Sequence, residues 1–152
     1  TESRTMRELA NSDESYRSLV VSWFEHSPLF EIMKKLAEEK YTLFVTTDHG
    51  SIRVEKPIKV IGERNLNTNL RYKQGRNMNY NPKEVFEIKD PAKVYLPKSM
   101  VTSSYIFATQ NDFFAYPNNY SQYVGMYRNT FQHGGVSMDE MLVPYAILKT
   151  KQ

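Results

Sequence analysis

The sequence lacks cysteine altogether, and it has neither a long apolar run nor a strong excess of one charge. Without cysteine, disulfides, thiolate metal sites and a cysteine nucleophile are excluded. No apolar run approaches the roughly 20 residues that a membrane-spanning helix needs, so we expect no membrane span and no membrane partner. The 20 Lys and Arg residues against 17 Asp and Glu leave a net charge of +3. That charge is too small to predict a nucleic-acid partner by itself. We expect a cytoplasmic protein.

What the sequence does contain is enough apolar material for one domain. Its 152 residues are the length of an ordinary domain, and 40% of them are hydrophobic. The chain begins Thr1-Glu2-Ser3-Arg4, with neither an initiator methionine nor the apolar core of a signal peptide. The chain was therefore either processed or cut from a longer protein, and we expect the second because of the missing ligands described below.

The start of the chain has the apolar spacing of helices. A helix over residues 2–24 is predicted by apolar residues at i, i+3, i+4 and i+7, namely Tyr16, Leu19, Val20 and Trp23. Ser27 and Pro28 are residue types preferred at an N-cap and at the first helical position, so a second helix is predicted to begin there. Its core-facing stripe is predicted to consist of Leu29, Ile32, Met33 and Leu36.

The rest of the chain alternates short strand patterns with loops. Residues 41–46 are β-branched and aromatic, which predicts a buried strand after a helix and hence α/β layering. Residues 63–81 are polar and glycine-punctuated, which predicts a long surface loop. Ser137 and Glu140 have the spacing of a capping box. Further predictions are two short strands around Pro57, a helical turn at 82–86, paired strands at 104–109 and 112–116, and a final strand at 142–148.

Two histidines precede glycine, each at a predicted boundary of a strand or helix. Asp48-His49-Gly50 follows the strand at 41–46, and His133-Gly134-Gly135 precedes the capping box. Carboxylate oxygen and imidazole nitrogen suit zinc and also manganese, and the glycines let the backbone come close. The alternative is an ordinary turn in which the aspartate caps and the histidine is exposed. His26, at a helix break, is interpreted as structural or exposed.

Three segments carry a resemblance to a known family. Thr46-Thr47-Asp48-His49-Gly50 resembles the TxDHG signature of the alkaline phosphatase superfamily, and residues 131–144, FQHGGVSMDEMLVP, resemble the closing HGG-S-x-x-E-x-x-x-P motif of its PglZ branch. Residues 68–76, TNLRYKQGR, are similar to PglZ domains that follow a receiver domain in PorX-type response regulators of Bacteroidetes. The resemblance implies that residues 1–152 are a single partial domain. Its fold class is α/β, the C-terminal portion of an alkaline-phosphatase-like sandwich whose central sheet is flanked by helices.

The resemblance also implies a two-metal phosphohydrolase that holds two zinc ions, with manganese as a second possibility. Asp48 and His49 are then expected to bind one ion and His133 the other. Arg71, Lys73 and Arg76 are expected to contact a phosphate-ester substrate, with nucleotides and oligonucleotides favoured. The alternative for these three residues is a solvated surface loop.

The family site needs groups for which this sequence has no candidate: a Thr or Ser nucleophile and further Asp and His ligands. We expect them upstream, in the missing N-terminal part of the same protein. The isolated chain is therefore expected to contain no catalytic nucleophile, to bind metal weakly and to hydrolyse nothing. The isolated chain is also expected to expose surface that the missing part normally covers, so we expect self-association or a homodimer. A patch of aromatic residues is expected to contribute: Tyr105, Phe107, Phe113 and Phe114.

Three functions compete on these grounds. The first is a phosphodiesterase within a signalling protein of the response-regulator type. The second is a non-catalytic, metal-stabilised domain that regulates a partner or dimerises. The third is a nucleic-acid-binding module that needs no metal, with cations on the backbone and rings on the bases: Arg64, Arg71, Lys73 and Arg76 with Tyr72 and Tyr80.

Overall fold

A computed structural model describes residues 10, 12–63, 66–98 and 102–150. The chain divides into two units, which we call unit 1 (residues 1–48 and 144–152) and unit 2 (residues 49–143). Arg64 and the first residues of the predicted N-terminal helix lie outside the described residues. In the part of the chain that is described, no helix combines the length and the apolar character that crossing a bilayer requires.

Unit 1 begins with two capped helices. Helix α1 spans Asp13–Glu25 and helix α2 spans Pro28–Glu38. The Ser27 side chain accepts a hydrogen bond from the Phe30 N–H, and Pro28 lies in the first turn, so the predicted start of the second helix is confirmed. The predicted core-facing stripe is wrong in part, because Leu29 is 48% and Ile32 55% exposed.

Unit 1 also contains a two-stranded antiparallel ribbon. Strand β1 (Leu43–Thr46) pairs with strand β9 (Tyr145–Leu148), with Leu43 opposite Leu148 and Thr46 opposite Tyr145. The prediction that β1 is buried is wrong, since Phe44 is 62% and Val45 43% exposed. The apolar residue types of this segment thus predicted a strand correctly, but they did not predict its exposure.

Unit 2 contains the remaining strands, in small sheets. Strands β2 (Ile52–Arg53) and β8 (Phe131–Gln132) are antiparallel, whereas β3 (Lys56–Lys59) and β7 (Asp112–Ala115) are parallel. A three-stranded antiparallel sheet has the order β4 (Tyr72–Gly75), β6 (Ser104–Ala108), β5 (Val85–Ile88). The described residues thus mix helices with sheets of two or three strands. The α/β class is confirmed, and the large sandwich stays a prediction.

Short helices complete unit 2. Helix α3 spans Tyr120–Tyr127 and helix α4 spans Met138–Met141, with single 3-10 turns at Pro82–Glu84 and Pro91–Val94. Ser137 and Glu140 form the predicted capping box at the start of α4. The predicted loop at 63–81 is wrong for β4, where long-range pairing with β6 orders a polar sequence.

Strands β6 and β7 exist as predicted, but the prediction that they pair with each other is wrong. The backbone at Leu70 and Arg71 hydrogen-bonds to both strands: the Ala108 N–H donates to the Arg71 carbonyl, and the Phe114 N–H donates to the Leu70 carbonyl, each at 2.8 Å. A segment distant in sequence thus occupies the place that a local hairpin partner would take.

Two apolar clusters form the core of unit 2. One contains Ile58, Ile106 and Phe114, and the other contains Val54 and Phe113, all at most 2% exposed. The predicted exposed aromatic patch is therefore wrong: Tyr105 is 5%, Phe107 7%, Phe113 0% and Phe114 1% exposed.

Candidate metal centre

The structure brings His49 and His133 into direct contact within unit 2. Their ring centroids are 3.9 Å apart and the ring planes differ by 12°, so the imidazoles stack. We call these two side chains the imidazole pair. The residues are 84 positions apart in the chain (133 − 49), so only the fold explains their meeting.

The tautomer of His49 follows from its hydrogen bond. Its Nδ1 lies 2.8 Å from the Gly50 carbonyl oxygen, and a carbonyl can only accept, so Nδ1 carries the proton. The lone pair of the neutral ring is then on Nε2. Metal-binding histidines are commonly fixed in this way, with one ring nitrogen bonded to a backbone carbonyl and the other facing the ion.

Stacked imidazoles suit two ions better than one. A zinc ion lies in the plane of the ring that binds it, about 2.0–2.1 Å from the nitrogen. Nearly parallel rings 3.9 Å apart direct their in-plane lone pairs along separate planes, so these do not converge on a single ion. Two-metal phosphoesterase sites hold their ions about 3.5–4 Å apart, which is close to the spacing of the imidazole pair.

Asp48 precedes His49 and is the last residue of the first segment of unit 1. Its side chain is exposed, and the Thr47 hydroxyl donates to its Oδ1 at 3.3 Å. Among the residues that the structure describes, no group of three or more His, Asp or Glu side chains has the arrangement to hold an ion. The candidate site within unit 2 is therefore the imidazole pair.

Arg71 is buried in an ion pair. The side chain is 0% exposed, and Nε and Nη2 each donate to one carboxylate oxygen of Glu140 at 2.9 Å. Nη1 donates to the carbonyl of Asp112. Burial raises the pKa of the Glu140 carboxyl, but hydrogen bonds from Arg71, Ser137 and Gly135, with the guanidinium charge, outweigh it and leave the pKa below its ordinary value.

Lys73 is buried as well. Its side chain is 1% exposed, Nζ donates to the Asn67 carbonyl at 2.7 Å, and the ammonium lies 4.9 Å from the centre of the Tyr116 ring. Burial lowers the pKa of Lys73 to about 8, because the charged form loses its hydration. The Lys73 side chain thus belongs to the interior of unit 2.

The prediction of an exposed basic loop is wrong for Arg71 and Lys73, whose donors are used inside unit 2. Arg76 is on the surface, 43% exposed, with Nη2 3.7 Å from a Glu63 carboxylate oxygen. The third hypothesis, a nucleic-acid-binding module, also relied on Arg71 and Lys73 to contact the nucleic-acid backbone, and both side chains are buried. Tyr72, which that hypothesis placed on the bases, has its ring stacked on Tyr105 and Phe107, at centroid distances of 6.2 and 6.1 Å.

Two further residues bear on the predictions. His26 is exposed, and its Nδ1 lies 2.8 Å from the Ser22 carbonyl oxygen at the end of α1, which confirms its interpretation as structural or exposed. Glu140 was assigned only a capping role, and its pairing with Arg71 was missed. The partners are 69 positions apart, and no local pattern marks such a contact.

A cavity of about 390 Å³ in unit 2 is lined in part by Lys59, Tyr80, Glu84 and Tyr120. None of the six residues predicted to bind metal or substrate lines it. It contains no histidine and one carboxylate, so its side chains do not resemble a zinc site.

His49 and His133 lie in the two motifs, at residues 46–50 and 131–144, that resemble the PglZ family, and comparison with known protein families supports that resemblance. The model of the BREX system PglZ alkaline phosphatase-like domain matches residues 1–148. The chain belongs to the PglZ family. No curated protein matches the chain significantly. Membership places this PglZ domain in a phosphoesterase-type superfamily of hydrolases, and the resemblance to PglZ that the motifs carried is confirmed.

Proposed function

We propose that this PglZ chain is the C-terminal part of a domain that hydrolyses phosphodiesters with two divalent ions, zinc or manganese. The observation that carries the proposal is the contact between His49 and His133, since each belongs to a family motif and their rings stack 3.9 Å apart. Two ligands with parallel, non-converging lone pairs suit a pair of ions.

Three residues hold the ions in this proposal: Asp48 and His49 hold one, and His133 holds the other. When bound, the ions polarise the phosphoryl group, lower the pKa of the attacking group and neutralise the leaving oxygen. The chain itself fixes the donors. The bond from His49 Nδ1 to the Gly50 carbonyl, at 2.8 Å, sets the tautomer that leaves a lone pair on Nε2.

The substrates we favour are nucleotide or oligonucleotide phosphodiesters. Arg76 is the member of the predicted basic set that remains available to contact a phosphate, because it is 43% exposed while Arg71 and Lys73 are buried. An exposed guanidinium suits an anionic backbone.

The remaining groups come from elsewhere in this proposal. An upstream part of the same domain supplies the nucleophile and the other ligands, within a cytoplasmic response regulator of the PorX type. Unit 1 provides surface for that part or for a second copy, since Phe44, Tyr145 and Ile147 are 51–63% exposed. The isolated chain then binds metal weakly and has no turnover.

The test is hydrolysis of bis(p-nitrophenyl) phosphate by the chain extended upstream to the whole domain, with zinc or manganese. His26→Ala is the matched control, because it removes an exposed histidine of unit 1. We expect turnover that a chelator abolishes, that falls by more than about 100-fold in Asp48→Ala, His49→Ala and His133→Ala, and that His26→Ala leaves unchanged.

Two results would contradict the proposal. Turnover that survives the chelator, or that survives loss of both members of the imidazole pair, rules out the metal centre. Metal binding without turnover in the whole domain would instead favour the non-catalytic, metal-stabilised regulatory domain.

A further inference from the structure

We infer that the buried ion pair between Arg71 and Glu140 positions the two histidines, an inference that rests on the proposed metal centre for its functional meaning. We call Arg71 and Glu140 the anchor pair. Neither residue is expected to touch a metal ion or a substrate. Their role is to hold the segments on which His49 and His133 lie at one fixed separation.

Arg71 is attached firmly to the core of unit 2. Its Nη1 donates to the Asp112 carbonyl at the start of β7, and its own carbonyl accepts from the Ala108 N–H of β6 at 2.8 Å. Side chain and main chain of one residue are therefore bonded to two different strands. With 0% of its surface exposed, the guanidinium is a fixed reference point within the unit.

Glu140 connects this reference point to the His133 segment. Its carboxylate accepts from the Gly135 N–H at 2.9 Å and from the Ser137 hydroxyl at 2.6 Å. A side chain at Gly135 would collide with it, since a Cβ there would lie 2.6 Å from Oε2 of Glu140 and 3.0 Å from Nε of Arg71. The turn after His133 is thus built directly against the anchor pair.

The main chain of Glu140 connects to the other histidine. The Gly50 N–H, next to His49, donates to the Glu140 carbonyl at 2.8 Å. A Cβ on Gly50 would overlap the carbonyl of Asp139, so only glycine permits this approach. One residue therefore bonds to both segments, by its side chain near His133 and by its backbone near His49.

Asn69 provides a second link from the same region to His133. Its Oδ1 accepts from the Arg71 N–H at 2.7 Å, and its Nδ2 donates to the His133 carbonyl at 3.1 Å. The main chain of Arg71 is thereby coupled to the main chain of His133. Loss of the Asn69 side chain removes this link and leaves the anchor pair intact.

The chemistry of the anchor pair suits orientation better than stability. Replacing a buried ion pair with apolar residues of similar volume is often neutral or stabilising. A contribution to stability is therefore a weak explanation for the presence of the Arg71–Glu140 pair. A guanidinium that binds both carboxylate oxygens, each at 2.9 Å, fixes the plane of the carboxylate as well as its position. A lysine would keep the charge and lose that orientation.

The experiment compares Glu140→Gln, Arg71→Lys and Asn69→Ala in the chain extended upstream to the whole domain, with Glu31→Gln as the control at an exposed ion pair of unit 1. One readout is the affinity for zinc alone, by calorimetry. The other is the NMR shift of the His49 ring protons, which the stacked His133 ring displaces, and His133→Ala gives the shift without stacking. Both are measured where circular dichroism shows each variant folded.

We expect zinc affinity to fall about 10–100-fold in Glu140→Gln and Arg71→Lys, the range for residues that orient metal ligands. We expect a smaller loss in Asn69→Ala and none in Glu31→Gln. The His49 signals should move toward their His133→Ala positions in the same order. Because Arg71→Lys keeps the charge of the buried ion pair and loses only its orientation, it keeps the test decisive if Glu140→Gln does not fold.

Folded variants with the wild-type zinc affinity and wild-type imidazole shifts would overturn the inference. If the wild-type whole domain binds no zinc but the His49 signals still move in the anchor-pair variants, the positioning role stands and the proposed metal centre fails. The two claims thus fail on different readouts.

Discussion

Units 1 and 2 contain similar apolar side chains in very different surroundings. In unit 2, Val54, Ile106 and Phe113 are all 0% exposed, whereas in unit 1 Phe44 is 62% and Ile147 51% exposed. Among the described residues of unit 1, Ala10 is the one hydrophobic side chain that is buried, at 8%. Unit 2 thus has an apolar interior, whereas the apolar side chains in the described part of unit 1, apart from Ala10, are half-buried or exposed.

This difference determines where a site can be rigid. Interior packing fixes side chains in one position, and unit 2 adds a charged pair that is fully bonded inside it. The imidazole pair lies in that unit. An exposed two-stranded ribbon such as β1 with β9 has little intrinsic stability of its own.

The largest effect is expected from breaking the buried ion pair of unit 2. Glu140→Ala leaves the Arg71 guanidinium without a counter-ion in the interior, and it also removes the acceptor of the Gly135 and Ser137 N–H groups. We expect the free energy of unfolding to fall by about 3–5 kcal/mol, as for other buried charges that lose their partner. Urea unfolding followed by circular dichroism measures the loss.

The matched change in unit 1 is Glu31→Ala, which breaks a pair of similar length. Lys34 Nζ lies 2.8 Å from Glu31 Oε1, but the side chains are 52% and 68% exposed. Solvent screens such a pair, so its loss should cost less than about 0.5 kcal/mol. Equal losses for the two variants would contradict the contrast between the units.

Local features of the fold were predictable from the sequence, and long-range ones were not. The N-cap at Ser27 and the capping box of Ser137 and Glu140 were predicted because each depends on residues within one turn. The pairing of β6 and β7 was predicted incorrectly, since the backbone at Leu70 and Arg71 lies between them. No property of the two strands themselves indicates that insertion.

The buried Lys73 is expected to have a smaller effect on the free energy of unfolding, and this effect depends on pH. Its pKa is about 8 in the folded chain against about 10.4 when unfolded, so the unfolded chain binds more protons between these values. The contribution of Lys73 to the free energy of unfolding should therefore rise with pH in this window, by about 2 kcal/mol between pH 8 and pH 10.

The comparison variants are Lys73→Met and, as the control in unit 1, the exposed Lys34→Met. Chemical denaturation at pH 8, 9 and 10 gives the free energies. We expect the rise with pH to be about 2 kcal/mol smaller in Lys73→Met than in the wild type, and unchanged in Lys34→Met. A Lys73→Met variant with the full rise would contradict the burial of this lysine.

For the candidate site, as for the fold, local motifs were predictable from the sequence and long-range contacts were not. Asp48, His49 and His133 were predicted as ligands because they stand in short motifs that contain glycine, and the fold brings His49 and His133 together. Arg71 and Lys73 were assigned to an exposed loop because their neighbours are polar. Their burial depends on Glu140, Asn67 and Tyr116, residues whose proximity only the tertiary structure reveals.

The proposed two-ion centre is tested by anomalous diffraction at the zinc absorption edge, from crystals of the whole domain grown with zinc. We expect two peaks about 3.5–4 Å apart, one about 2.0–2.1 Å from a ring nitrogen of His49 and the other at the same distance from a ring nitrogen of His133. Zinc bound at neither histidine, or a single ion shared by both, would contradict it.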